Sequence, residues 1–130
     1  EIRMNGLLND LASQCQVKEG NAAASYSSGA NVGSAIDMTG GTQPTDGRCA
    51  LLGQVGATTG TVVFQVSESA TSGGSYTDIS GATLSFTATD DNTAQVISFS
   101  RSLRYLKVTA TCGANTTLLS STVLGQYKQF

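Results

Sequence analysis

The chain has 130 residues, 39% of them apolar, which suits one domain with a real core and leaves too little chain for two. Only 12% of residues are charged and the net charge is −2, so the basic footprint of a nucleic-acid binder is missing. No apolar run reaches the roughly 18 residues that a membrane-spanning helix needs, and histidine, the commonest general base and metal ligand near neutral pH, is absent.

In chain order, residues 1–33 read as an N-terminal arm or loop segment and residues 34–130 as a β-sandwich domain. Within the arm, Asn5 to Cys15 places Leu7, Leu8 and Leu11 at helical spacing, which predicts a short helix or an irregular arm. Asp10 interrupts the stretch and no basic region precedes it, so it does not read as a signal peptide. Gly20 to Gly33, rich in Ala, Ser, Gly and Asn, reads as a loop or weak strand. Three leucines on a free arm are unstable in water, so the arm is expected to pack on its own domain or on a neighbour.

From Ser34 the punctuation becomes regular. Ser34 to Met38 is a short predicted strand, followed by a turn-forming run that holds the one proline, Pro44. Arg48 to Val55 is the next strand. Thr61 to Ser67 alternates, with Val62, Phe64 and Val66 on one face. Gly73-Gly74 marks a turn, and Ala82 to Thr89 alternates again, with Ala82, Leu84, Phe86 and Ala88 on the apolar side. Asp90-Asp91-Asn92 turns the chain back. Ala94 to Phe99, Leu103 to Cys112 and Thr116 to Tyr127 complete the set. Seven or eight short strands with a turn about every ten residues predict an all-β antiparallel sandwich, jelly-roll-like or immunoglobulin-like. Strand spacing does not choose between them.

The residues that would carry chemistry do not converge. Cys15, Cys49 and Cys112 match no metal-ligand spacing, and free buried thiols in a reducing compartment are favoured over a Cys49–Cys112 disulfide. Neighbouring Asp90 and Asp91 read as turn residues, not as a carboxylate dyad. Glu68 and Asp78, flanking Gly73-Gly74, read as surface carboxylates before they read as an acid–base pair or calcium ligands. Ser75 lacks the second glycine and the helix of a nucleophile elbow. The expectation is a protein that is not an enzyme and carries no cofactor and no metal. The one basic cluster is Arg101, Arg104 and Lys107. Arg104 is expected at a strand mouth, pairing with a carboxylate such as Asp78 or Asp90, while Tyr105 and Lys107 face outward. Arg104, Tyr105 and Lys107, together with Leu7, Leu8 and Leu11, are the candidate interface residues, because Arg and Tyr are enriched at interface hot spots.

Several short segments occur in a fixed order: Ser34-Ala35-Ile36-Asp37-Met38, Gly53-Gln54-Val55-Gly56, Val66-Ser67-Glu68-Ser69, Tyr76-Thr77-Asp78-Ile79-Ser80-Gly81 and Leu103-Arg104-Tyr105-Leu106-Lys107-Val108. Together, over Ser34 to Lys128, this series resembles the capsid decoration (cement, or head auxiliary) proteins of tailed bacteriophages. The resemblance implies a structural protein on the outside of the virion head. Its partner would be the major capsid protein, and it would often be a homotrimer about a local threefold axis. The segment Glu1 to Ala30 is longer than that pattern. The residues also leave open a tail or baseplate subunit, and a carbohydrate-binding sandwich whose platforms Tyr26, Tyr76, Tyr105 and Tyr127 would have to supply.

Overall fold

The computed structural model describes residues 14–39, 45–114 and 117–127. Its elements are nine strands: β1 (Cys15–Tyr26), β2 (Gly29–Val32), β3 (Ile36–Asp37), β4 (Thr45–Val55), β5 (Val62–Ser69), β6 (Thr77–Phe86), β7 (Thr93–Ser100), β8 (Tyr105–Cys112) and β9 (Thr117–Tyr127). The helix or arm expected over Asn5–Cys15, with Leu7, Leu8 and Leu11, falls almost wholly outside the described residues.

Two antiparallel sheets pack face to face. Sheet A runs β1-β9-β4-β7, and sheet B runs β2-β8-β5-β6 with β3 also on β8. If β2 and β3 count as one interrupted strand, eight strands pair first with last, second with seventh, third with sixth and fourth with fifth. That is one long antiparallel hairpin rolled up on itself, which makes the sandwich a jelly roll and not an immunoglobulin-like fold.

The core is the set of inward positions the alternation predicts. Val62, Phe64 and Val66 of β5 and Leu106, Val108 and Ala110 of β8 meet Leu51 and Val55 of β4 and Val123 of β9, all without solvent exposure. Phe64 and Phe86 pack edge to face with centroids 5.8 Å apart and planes at 80°, a geometry worth about 0.5–1.5 kcal/mol beyond the area buried.

The domain boundary expected at Ser34 is not where the structure places it. Residues 15–32 form two of the strands: β1 is hydrogen-bonded to β9 along its length, and β2 lies on β8. The reason lies in the inner face of β1. Gln16, Gly20 and Asn21 are its buried residues, so the aliphatic alternation that marks a half-buried strand is missing. Two register shifts, between Glu19 and Asn21 and between Asn21 and Ala24, break what periodicity remains. Asn21 replaces apolar packing with hydrogen bonds. Its N–H donates to Ser121 Oγ (2.8 Å), Ser121 Oγ donates to Asn21 Oδ1 (2.7 Å), and its Nδ2 donates across the sandwich to the Val108 carbonyl (3.2 Å). The small residues here have a similar role: a Cβ at Gly33 would run into the Gly20 carbonyl, so the two chain segments meet backbone to backbone.

At its far end β6 stops at Phe86, short of the predicted Thr89. Asp90 Oδ2 accepts from the Thr87 N–H (2.7 Å) and the Thr87 hydroxyl (3.0 Å), which closes a turn and leaves Ala88 exposed. Cys49 and Cys112 are both buried and are not joined to each other. Cys112 sits opposite Val62, at the end where β4 passes to β5, whereas Cys49 lies six residues back along β4. At ~3.3 Å per residue that is about 20 Å, far beyond disulfide reach.

Candidate functional site

The two outer faces of the sandwich are the surfaces open to a partner. On sheet A the register aligns outward side chains in rows. Val17 of β1 faces Leu124 of β9, which faces Ala50 of β4, which faces Ser98 of β7. One row on, Glu19, Thr122, Leu52 and Val96 align in the same way. The result is a band of aliphatic side chains in water: Val17 is 62% exposed, Val96 64%, Leu118 45% and Leu52 37%. Small side chains leave an open hollow of about 480 Å³ at one end of the band, lined by Cys15, Arg48, Ala50, Ser98, Leu124 and Gln126. A second hollow of similar volume lies at the other end, around Ala24, Gln54, Asn92, Leu118 and Ser120. Val17, Leu124, Leu52 and Val96 stand in adjacent rows and Leu118 lies two rows further on, past Gln54 and Ser120; exposed apolar side chains grouped on a sheet face make a candidate interaction site.

Sequence reasoning missed this band, although a signal for it exists. Leu51-Leu52, Val96-Ile97, Leu118-Leu119 and Val123-Leu124 are apolar doublets. Neighbouring residues on a strand point to opposite faces, so one of each pair enters the core and its neighbour must face out. An unbroken apolar pair in a half-buried strand is therefore a surface signal.

Sheet B faces water chiefly with hydroxyls and amides, with Val32 (61% exposed) and Val63 standing among them. Gln65 is fixed by its own bonds: Nε2 donates to the carbonyls of Val66 (2.8 Å) and Ile79 (3.0 Å), and Oε1 accepts from the Thr83 hydroxyl (2.6 Å). Arg104, Tyr105 and Lys107 lie at one end of this side, at the start of β8. Lys107 Nζ lies 4.6 Å from the centre of the Tyr76 ring, and the Arg104 guanidinium 5.1 Å from that of Tyr105. Burial, and secondarily the proximity of Tyr105, pushes the Tyr76 hydroxyl up in pKa.

The partner of Arg104 is neither Asp78 nor Asp90, as expected from sequence, but Asp37. Arg104 Nε donates to Oδ1 (2.9 Å) and Nη2 to Oδ2 (2.8 Å), a bidentate pair. The pairing of β3 with β8, Asp37 opposite Tyr105, brings together residues 67 apart in sequence. These bonds from Arg104, with others from the Thr39 N–H and hydroxyl, hold the Asp37 carboxyl well below the usual carboxylate range and push the guanidinium up.

The carboxylates considered as chemical groups serve the backbone. Glu68 Oε1 accepts from the N–H groups of Ser102 (2.8 Å) and Leu103 (3.1 Å), tying down the loop into β8. Asp91 accepts from the Thr58 N–H (3.3 Å), and Asp90 closes its own turn. Burial pushes the thiols of Cys15 and Cys112 up in pKa, away from the reactive thiolate. Among the described residues no three His, Cys, Asp or Glu side chains are grouped to hold a metal ion.

No known family profile matches the chain, and no characterised protein matches it by sequence. Solved structures share its fold. The PBSX exported protein XepA superposes on 88% of this chain with a TM-score of 0.65 and 10% identity, and this chain spans 38% of that one. A protein of the Bacillus endospore appendages, a family of disulfide-linked pili, matches 89% of this chain and 90% of its own, with a TM-score of 0.51 and 13% identity. At these identities the likeness is one of fold.

Proposed function

We propose that this protein is a structural, non-enzymatic subunit of a virus particle, a decoration or cement protein that sits on the outside of a tailed-phage head through the outer face of sheet A. The observation that carries this reading is the aliphatic band of Val17, Leu52, Val96, Leu118 and Leu124, set on a rigid sheet with hollows at both ends. Burying such surface against a capsid releases water at about 25 cal/mol per Å², and many copies add modest contacts into a firm attachment. The fold supports an assembly role, since it is shared with an appendage protein of pili. The order of short segments from Ser34 to Val108 supplies the capsid as the particle and the major capsid protein as the partner.

A cement needs no proton shuttle or nucleophile, and the carboxylates of Glu68, Asp90 and Asp91 are committed to backbone N–H groups. The test is co-sedimentation of the purified protein with empty phage heads, together with the melting temperature of those heads. Binding with a raised melting temperature is the expected result. Absence of both, or closed rings in solution that ignore heads, would sink the head-binding reading and favour a tail subunit.

A further inference from the structure

The aliphatic rows of sheet A begin where the chain enters the sheet. Cys15, the first residue of β1, lines the hollow of about 480 Å³ together with Arg48, Ala50, Ser98, Leu124 and Gln126. These are outward residues of all four strands, in the order β1-β9-β4-β7. Fourteen residues precede Cys15, and among them Met4, Leu7, Leu8 and Leu11 recur at i, i+3, i+4 and i+7, the spacing of one helical face. Asn5, Asn9 and Asp10 take positions between them. A helix of that length is marginal in water unless its apolar face packs on something.

We propose that residues 4–13 fold back in cis as an amphipathic arm across the outer face of sheet A, and that the hollow beside Cys15 is the seat of that arm. Two dimensions match. Sheet A is four strands wide, and three inter-strand steps of about 4.8 Å make roughly 14 Å. A helix rising about 1.5 Å per residue covers one such step in about three residues. Counted back from Cys15 on β1, Leu11 then lies over Leu124 of β9, Leu7 and Leu8 over Ala50 of β4, and Met4 over Ser98 of β7, which stand in one row of the sheet. The small side chains of Ala50 and Ser98 leave room for the larger ones of the arm. Arg48, exposed at the rim, is the charged residue of the lining and is opposite in sign to Asp10 of the arm.

The occupant is the chain's own arm because its tether lies at the rim of the hollow. A short tether holds a segment at an effective concentration in the millimolar range, which a second copy reaches only in concentrated solution. The outer face of sheet B is on the far side of the sandwich and chiefly polar, so the nearest apolar surface to Cys15 is the row of Val17 and Leu124. The seated arm covers that row and leaves Leu52, Val96 and Leu118 uncovered for a head. This goes beyond the head-binding reading, since it concerns the free chain in solution and is tested without heads, so either can fail alone.

The experiment uses Cys15 as a native reporter, since it is half-buried in the lining of the hollow. The full chain is treated with iodoacetamide, and the rate at each cysteine is read by peptide mass spectrometry. Leu7→Ser, Leu8→Ser and Leu11→Ser together should speed alkylation of Cys15 at least tenfold, while Cys112, 3% exposed, stays slow and verifies the fold. The parent's rate at Cys15 should not depend on protein concentration. A second measurement keeps the leucines in place. In a Cys15→Ser background under oxidised dithiothreitol, Met4→Cys with Ser98→Cys should close a disulfide within one chain, and Met4→Cys with Thr109→Cys, on the outer face of sheet B, should not. An unchanged rate in the triple variant, protection of Cys15 that grows with concentration, a covalent dimer in place of the intrachain bond, or equal cross-linking of the two pairs would overturn the proposal.

Discussion

Strands of the same alternating kind end in opposite surface chemistry on the two sides of this sandwich. On sheet A, β4, β7 and β9 carry apolar doublets, and Leu52, Val96, Leu118 and Leu124 come out on the water side. On sheet B the outward residues are mostly polar, such as Gln65, Thr83, Ser85 and Thr109, with Val32 and Val63 as aliphatic exceptions; Thr83 bonds to Gln65, and Gln65 bonds to two backbone carbonyls. The difference separates a face whose polar side chains are largely satisfied within the chain from one that carries more exposed aliphatic side chains. Sheet B spends its outer side chains on holding β5 to β6. Sheet A leaves that work to the backbone ladder and to the core beneath.

The comparison can be broken most severely from below, where both faces share one core. Phe64→Ala removes a fully buried ring and its edge-to-face partner, and should cost about 3–5 kcal/mol in a denaturant titration, lowering the stability of both faces together. The next largest effect separates them. Leu52→Glu with Val96→Glu should weaken head binding at least tenfold, about 1.4 kcal/mol, with folding stability changed by no more than about 0.5 kcal/mol. Thr109→Val with Thr111→Val on sheet B should leave head binding intact. Equal losses from the two pairs in co-sedimentation would erase the distinction between the faces.

A smaller effect runs the other way. Gln65→Ala strips two carbonyls and the Thr83 hydroxyl of their partner, and is expected to cost on the order of 1–2 kcal/mol in the same titration. Thr122→Ala on the sheet A face should be silent within about 0.5 kcal/mol. The smallest effect is conditional on pH. The Asp37 carboxyl is held down by Arg104, so its contribution is fully present above the unfolded carboxylate pKa of about 3.9 and fades as the pH falls below that toward the folded value. Asp37→Asn should therefore flatten the acid limb of stability below about pH 4 and leave the profile between about pH 6 and 8 unchanged, read as the urea midpoint against pH.

Much of this was legible in the sequence, and what was not has local causes. The strands β5 and β8 were clear because each places three or more aliphatic or aromatic residues at strict alternation, and packing in the core fills those positions. Strand β6 was read too far because Ala88 continues the alternation, while Asp90 captures the backbone at Thr87 and ends it. Strand β1 was hidden because its buried side uses Asn21 and Gly20 where periodicity looks for Val or Leu. The clustering of Arg104, Tyr105 and Lys107 followed from their closeness in sequence. The Asp37 partner did not, since it depends on β3 settling beside β8.

By itself the sequence determined that the chain would build two-sided strands around one apolar layer, because alternation of side chains about a strand is a local property that neighbours cannot reverse. It also settled that charge would be scarce and histidine missing. Only the tertiary structure decided the rolled hairpin, in which the first strand pairs with the last. Contacts between residues about a hundred positions apart, such as Asn21 with Ser121, leave no periodic trace in either segment. It alone decided which outward residues stand in one row: Val17, Leu124 and Ala50 become neighbours through the register of three strands drawn from opposite ends and the middle of the chain.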